Sequence, residues 1–551
     1  MERAGKRRRR FGSESRLQAT WSGNEFRLKA VLQKAPKALS CWGHRAANAT
    51  PKNSWRPPRC ARKVVLARMG KVLTGSPTQM RRRVLALLFI LALAFTVRAL
   101  AANFLRAHLN DPSWFPFGIY SAFDRQAQDG LDGRASFFRI DDPSRTDAAI
   151  YPPGYPLWLA LVYKLSGIRY ASAVQNVQWV LDALSVFLVI GAGVTAFGWG
   201  VGLWAGGIAA LWPLLATYGA VPLADAPTSW IVLAATWMLL LAAKRQSLQW
   251  ALGAGALVGL SCWLRANAML LVFFWALALL LLVRTSWRRR ALLSASVVLA
   301  AMIVIAPVVV RNLLAFRAFV PTGLGAGTNL WEGVGETERG AKEFGAVSND
   351  SELLEQERAE LKVPAGAEFN LYYPDGIRRD RERARKALAI IVRHPFWYGG
   401  SVARRMAGVL KYAGEPSGIY GSAGVNVTSR KSLPPAWQGG VLAVLVNVLG
   451  MLQSVLRYVL LPLMLVGLLL AFRLDWRMSA LLMATVFYYL TVGSMIHTHI
   501  RYGLPMHALL TIFAGLTLWR LKEFVVTRRL TLLVKAKRSA SDWHHSNLRE
   551  K

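Results

Sequence analysis

The chain has 551 residues, of which 54% are hydrophobic and 21 are tryptophan, and its mean hydropathy is +0.30. Repeated apolar runs of sixteen or more residues exclude a string of soluble domains, and the lack of short alternating segments excludes a membrane β-barrel. The net charge of +38 would suit a nucleic-acid binder, but half of it, 22 Lys/Arg less 3 Glu, precedes residue 84, and the rest lies largely in short links between apolar runs and in the tail after Trp519. That placement sets membrane orientation, and no aromatic-interleaved basic fold is visible, so no nucleic-acid partner is expected.

Residues 1–80 read as a basic extension without sustained periodicity, disordered or the product of an upstream start, with Met69 and Met80 as alternative starts. No apolar core follows the Arg7–Arg10 run promptly, so it is not a secretory signal. Cys41, Cys60 and Cys262 are too few and too scattered for a disulfide framework or a metal site.

The first span is expected from about Val84 to Phe104, with Arg81–Arg83 holding its start in the cytoplasm. The loop 105–155 is then extracytoplasmic and rich in acids: Asp111, Asp124, Asp129, Asp132, Asp141, Asp142 and Asp147. It ends in Tyr151-Pro152-Pro153-Gly154-Tyr155-Pro156, where two prolines and a glycine prevent an early helix and two tyrosines suit a membrane–water boundary. The apolar stretch 156–166 is too short to span. Further spans are expected at about 174–195, 200–218, 222–243, 249–264, 267–284 and 291–310, an alternation that keeps Lys244, Arg245 and Arg288–Arg290 in the cytoplasm.

The same path puts 311–438 outside as a polar cap with a helical pattern near 376–412. Residues 439–452 are expected along the surface or re-entrant, because Arg473, Asp475 and Arg477 leave parity for one crossing at 455–472. Spans at 478–495 and 503–519 and a basic cytoplasmic tail, 520–551, complete the chain. The result is an all-α polytopic membrane protein of about 10 transmembrane helices, within a range of about 8 to 12, with extracytoplasmic loops of mixed structure. Its parts are the extension 1–80, a membrane module 81–310 that carries the acidic loop, the cap 311–438, the membrane helices 439–519 and the tail.

Charged groups inside an apolar run mark function or a buried partner. Asp182 reads as a buried hydrogen-bond acceptor; Asp225, near a helix junction, reads equally as acceptor or site residue. Arg265, Arg311 and Arg501 recur at the outer ends of expected spans, where the orientation rule makes arginine less expected, and a guanidinium fork suits phosphate. Snorkelling to lipid headgroups is the plain alternative. His497 and His499 supply too few ligands for a metal, and no nucleotide-binding motif occurs, so neither metal nor cofactor is expected.

Several segments together resemble the GT-C membrane glycosyltransferases, in the branch of protein O-mannosyltransferases and lipid A aminoarabinose transferases. They are the Tyr151–Pro156 lip after an acidic loop; Pro213 with Asp225; Gly259-Leu260 before Arg265-Ala266-Asn267; Arg311-Asn312 through Phe319-Val320-Pro321 to Asn329-Leu330-Trp331; and Arg501-Tyr502-Gly503-Leu504-Pro505. The resemblance implies an integral-membrane transferase moving a sugar from a polyprenyl-phosphate carrier to a hydroxyl of a protein, lipid or polysaccharide, in the inner membrane with both termini cytoplasmic. It implies an acid of the first outer loop as base and basic side chains on the phosphate. Where the family pattern has its acid this chain has Ile119-Tyr120, so Asp124 is the first candidate base and Asp111 the second. Arg265, Arg311 and Arg501 are the phosphate candidates; Tyr151, Pro152, Pro153, Tyr155 and Asp225 would wall the site, although Tyr151 stands where some relatives carry lysine. The rival readings are a transporter or lipid flippase and a GT-C-like scaffold without activity. No internal repeat favours the first, and the missing family acid keeps the second open.

Overall fold

The computed structural model describes residues 77–109, 117–411, 428–496 and 499–547. The described residues from Arg81 onward form one compact unit. Among the described residues there is no strand, only an isolated antiparallel bridge between Asn370 and Tyr373, so the connecting segments are helices, turns and coil rather than mixed structure.

Five helices are long and apolar enough to cross a membrane, or six if one bent pair is a single span. The five are α1 (Pro77–Arg106), α4 (Ala171–Phe197), α7 (Asp225–Arg245), α10 (Trp287–Phe316) and α16 (Gly440–Ser494). The pair is α5 (Trp199–Leu211) and α6 (Pro213–Gly219), bent by 62°. Proline at the first position of α6 has no N–H to continue the ladder of α5, so the expected span 200–218 breaks there. Two shorter apolar helices, α8 (Leu248–Leu264) and α9 (Leu271–Leu282), and the terminal α17 (Leu504–Asn547) fill the remaining expected segments.

Residues 439–452 are not a separate surface or re-entrant piece. The helix runs on from Gly440 to Leu474 through Pro462, and this stretch is one run with the expected span 455–472. The break falls at Asp475, whose backbone is extended and whose carboxylate accepts from the amide of Met478, so one residue ends a helix and caps the next.

In the interior α16 packs on α17, α17 on α5, α4 on both α5 and α7, and α8 on both α7 and α10. Trp275, Tyr488 and Phe513 are among the fully buried side chains of this core. One buried charge pair crosses it. Arg98 of α1, 1% exposed, donates through Nε to Asp182 of α4 at 2.9 Å and to the carbonyls of Ala210 (2.7 Å) and Ala209 (3.1 Å). Trp230 Nε1 donates to the other Asp182 oxygen at 2.7 Å. Asp182 is thus the buried acceptor its sequence position suggested.

The helix ends segregate. At one end Lys244 donates to the Thr195 carbonyl (2.6 Å), Gln246 to that of Arg284 (2.9 Å) and Arg289 to that of Gln246 (3.0 Å). The other end carries the loop after α1, with the short helices α2 (Phe117–Leu131) and α3 (Gly154–Ser166), and the long segment after α10. That segment holds α11 (Ala326–Gly335), α12 (Glu338–Phe344), α13 (Asp350–Glu360), α14 (Gly376–Arg393) and α15 (Pro395–Lys411) around a small core of Trp331, Val334, Leu353, Ala387 and Tyr398. It is joined to the first loop by an ion pair from Arg145 to Glu368 (2.5 Å), and the amide of Leu324 donates to the carbonyl of Ala149 (2.9 Å).

Candidate active site

The lip is clamped against the end of α8. A side chain on Gly154 would meet the Trp263 carbonyl oxygen at 2.5 Å, so only glycine lets the two backbones approach this closely. Two residues beyond Trp263, Arg265 leaves the helix in extended conformation. Its guanidinium ion-pairs with Asp225 at the start of α7. The other Asp225 oxygen, Oδ2, is buried with no hydrogen-bond partner among the described residues. Arg265 also lies over the ring of Tyr502, 4.8 Å from its centroid, and Arg501 lies over the same ring at 5.3 Å. Burial raises the Tyr151 phenol above its ordinary value; the Arg265 and Arg501 guanidiniums oppose the rise, and Asp350 and Tyr502 add to it. Tyr151, Asp225, Arg265, Arg501 and Tyr502 therefore meet at one place, although they come from four separate parts of the chain. Two guanidiniums beside an aromatic platform can hold an oxyanion and resist its desolvation.

Asp124 is tied to the lip only through its neighbour in the chain, Phe123. Its helix α2 is amphipathic, and Phe123 stacks on Tyr151 (4.4 Å) and on Tyr155 (4.9 Å). The Asp124 carboxylate is half-buried; one oxygen accepts from Tyr163 Oη at 2.5 Å and the other from Gln128 Nε2 at 2.9 Å. Tyr163 Oη is in turn 2.6 Å from Tyr120 Oη. The residue at the expected position of the family's acid is thus linked by two hydroxyls to the acid one turn later. Asp111 lies outside the described residues.

Arg311 goes elsewhere. It donates to the Phe137 carbonyl (3.1 Å) and to its neighbour Asn312 (2.8 and 3.0 Å), which ties α10 to the first loop. Pro152 and Pro153 form the buried turn before α3, and Tyr155, fully buried, donates to Gln178 at 3.2 Å. Tyr120, Tyr163, Gln128 and Asp350 were missed by sequence reasoning. The signal for Tyr502 was its place in the Arg501–Pro505 segment, and no spacing links Tyr163 to Asp124.

Residues 151–310 match the family model of dolichyl-phosphate-mannose-protein mannosyltransferase. Over this segment the GT-C glycosyltransferase likeness is shown. The match opens on the first residue of the lip and takes in Asp225 and Arg265; Asp124, Arg311 and Arg501 fall outside it. Comparison with curated protein sequences finds no match. Among solved structures, the chain is similar to the archaeal oligosaccharyltransferase AglB from Archaeoglobus fulgidus in complex with an inhibitory peptide and a dolichol-phosphate. Identity is 12% and the TM-score 0.42, over 82% of this chain and 51% of that one. The apo form of the Archaeoglobus fulgidus oligosaccharyltransferase gives 11% and 0.43, over 81% and 52%. This chain spans about half the length of those relatives, and a superposition this loose assigns no substrate and pairs no residues.

Proposed function

We propose that the protein transfers a sugar from a polyprenyl-phosphate carrier to an acceptor hydroxyl at the end of the bundle that bears the first loop and the segment after α10. The observation that carries this reading is the pair of guanidiniums, Arg265 and Arg501, on one tyrosine ring beside the lip where the family match begins. In the reaction the acceptor oxygen attacks the anomeric carbon, the bond from that carbon to the phosphate oxygen breaks, and the carrier phosphate leaves with the electron pair. Arg265 and Arg501 face the charge growing on that phosphate. The hydroxyl proton passes to Asp124, whose carboxylate is oriented by Tyr163 and Gln128. Asp225 positions Arg265. Arg311 in this reading holds the first loop against α10 rather than touching phosphate.

The end with Lys244, Arg284 and Arg289 is rich in basic residues, which supports placing it in the cytoplasm and the site outside the inner membrane. With the helix ends segregated as described, each of the ten apolar segments would run from one end to the other. The acceptor, whether protein, lipid or polysaccharide, would enter beneath the cap 311–438, and the bilayer would bring the donor.

The test is transfer from radiolabelled polyprenyl-phosphate sugars to membrane fractions by the purified protein in proteoliposomes. Label should move to one fraction, and Asp124→Asn should slow transfer by about 10²–10⁴-fold. Transfer undiminished in the variant would remove Asp124 from the mechanism. Failure of every carrier sugar to serve as donor would remove the reading itself.

A further inference from the structure

α14 carries a face that the described residues leave largely exposed. At about 100° per residue, Arg378, Arg381, Arg385, Leu388 and Val392 fall in one stripe roughly 80° wide. The opposite side, with Arg379, Asp380, Arg383 and Ala387, is buried in the cap. On the stripe Leu388 is 51% exposed and Val392 73%, and Phe396, just past the end of the helix, is 95% exposed. The arginines stand at the N-terminal half and the apolar residues at the C-terminal half.

The stripe has a fixed height relative to a membrane-spanning helix. Arg381 Nη2 donates to the carbonyl of Phe319 at 3.2 Å, three residues past the end of α10. Leu313 and Leu314 on the last turn of α10, and Phe319 itself, are exposed apolar residues as well. Between α10 and α14 lies a cavity of about 360 Å³ lined by Phe316, Ile377 and the three arginines. Asp375 and Glu382 also border it and pair with Arg378, at 3.2 and 3.4 Å. Arg385 makes no hydrogen bond or ion pair among the described residues, so the row keeps a cationic surplus.

We infer that this stripe docks on the lipid surface at the Phe316 end of α10. Arg381 and Arg385 meet headgroup phosphates, and Leu388, Val392 and Phe396 enter the upper acyl region. Basic and apolar residues on one exposed helical face fit an anionic interface. A second copy of the chain would have to satisfy the arginine row and cover the apolar half together, which would shield the stripe from lipid and water alike. The inference needs only that α10 spans the membrane, so it stands apart from the transferase reading. Its consequence is that the cap is held flat on the membrane and the site mouth keeps a constant height above it.

Spin labels test it in the full-length protein in proteoliposomes. Cys41 and Cys60 are replaced by serine, buried Cys262 is kept, and a single nitroxide is placed at Val392→Cys, Phe396→Cys or, as the aqueous reference, Glu352→Cys. Elution volume and labelling yield select folded variants. At 392 and 396, collisions with oxygen should exceed those with a water-soluble nickel chelate, with the opposite order at 352. Nickel accessibility equal to that at 352 would overturn the proposal. Shielding from both reagents would also overturn it, because protein and not lipid would then cover the stripe. Vesicles containing anionic phospholipid should lower nickel accessibility at 392 relative to purely zwitterionic vesicles. That difference should vanish in Arg381→Gln/Arg385→Gln; its persistence there, or its absence in the parent, would overturn the role given to the arginines.

Discussion

Two buried ion pairs separate structure from chemistry at the level of single residues. Arg98–Asp182 has every charged group engaged and lies among core helices, so it serves the fold. Arg98→Met alone strands a carboxylate and should cost about 3–5 kcal/mol, whereas Arg98→Met/Asp182→Leu should recover most of that; detergent unfolding measures both. Arg265–Asp225 differs, because the arginine is partly exposed and points at the lip. Arg265→Gln should also destabilise, by about 3 kcal/mol, through the carboxylate left behind. In Arg265→Gln/Asp225→Asn, stability should return while sugar transfer stays lost. If transfer returned with stability, Arg265 would be a structural residue only. The sequence made Asp182, Asp225 and Arg265 legible as charges that needed a reason. Their partners were not legible, because pairings across 84 or 40 residues depend on how helices pack and leave no mark in local spacing.

The cap shows the same limit for whole elements. Its helical pattern near 376–412 was readable and appears as α14 and α15, which carry strong amphipathic periodicity. The seven- to eleven-residue helices α11 to α13 were not, because short helices gain most of their stability from packing rather than propensity. Glu357 of α13 binds this assembly together: its carboxylate accepts from Arg383 at 2.6 Å on each oxygen and also from Arg379, and these guanidiniums hold it below the usual carboxylate range. Glu332 of α11 is the opposite case. It is 4% exposed, and burial together with the Asp350 carboxylate pushes its own carboxyl up to about 8, with Glu336 adding to the rise and Arg383 opposing it. Folded, the group keeps its proton to about pH 8; unfolded, it releases it near its ordinary 4.5. Between these values the unfolded chain binds fewer protons at this group, so its contribution to stability falls as pH rises and levels above pH 8. Glu332→Gln should therefore melt higher than the parent at pH 7 by a few kcal/mol and lose that slope. Melting curves of parent and variant from pH 4 to 9 decide it, and a difference between them that does not grow from pH 4.5 to 8 would contradict the assignment.

For the whole molecule, what the sequence made legible was which helix ends lie together. Basic residues placed between apolar runs cost nothing in the core and bias insertion, and the structure gathers Lys244, Arg284 and Arg289 at one end and the lip, Arg265, Arg501 and the cap at the other. Span lengths were less legible. α8 and α9 have 17 and 12 residues, which at about 1.5 Å each fall short of a hydrocarbon core of about 30 Å. Each packs one face on its neighbours, where Trp275 and Cys262 are fully buried, and leaves the other exposed, with Leu260, Phe273 and Leu277. The consequence can be measured. A cysteine at exposed Glu352 should react with a membrane-impermeant maleimide in intact spheroplasts, whereas one at exposed Arg288 should react only after permeabilisation. Cysteines at Arg245 and Arg288 should behave alike, because an even number of crossings, α8 and α9 together, separates them. If Arg245 and Arg288 reacted from opposite sides, one of the two short helices would not cross, and the lip and Arg265 could not share an aqueous face with the cap.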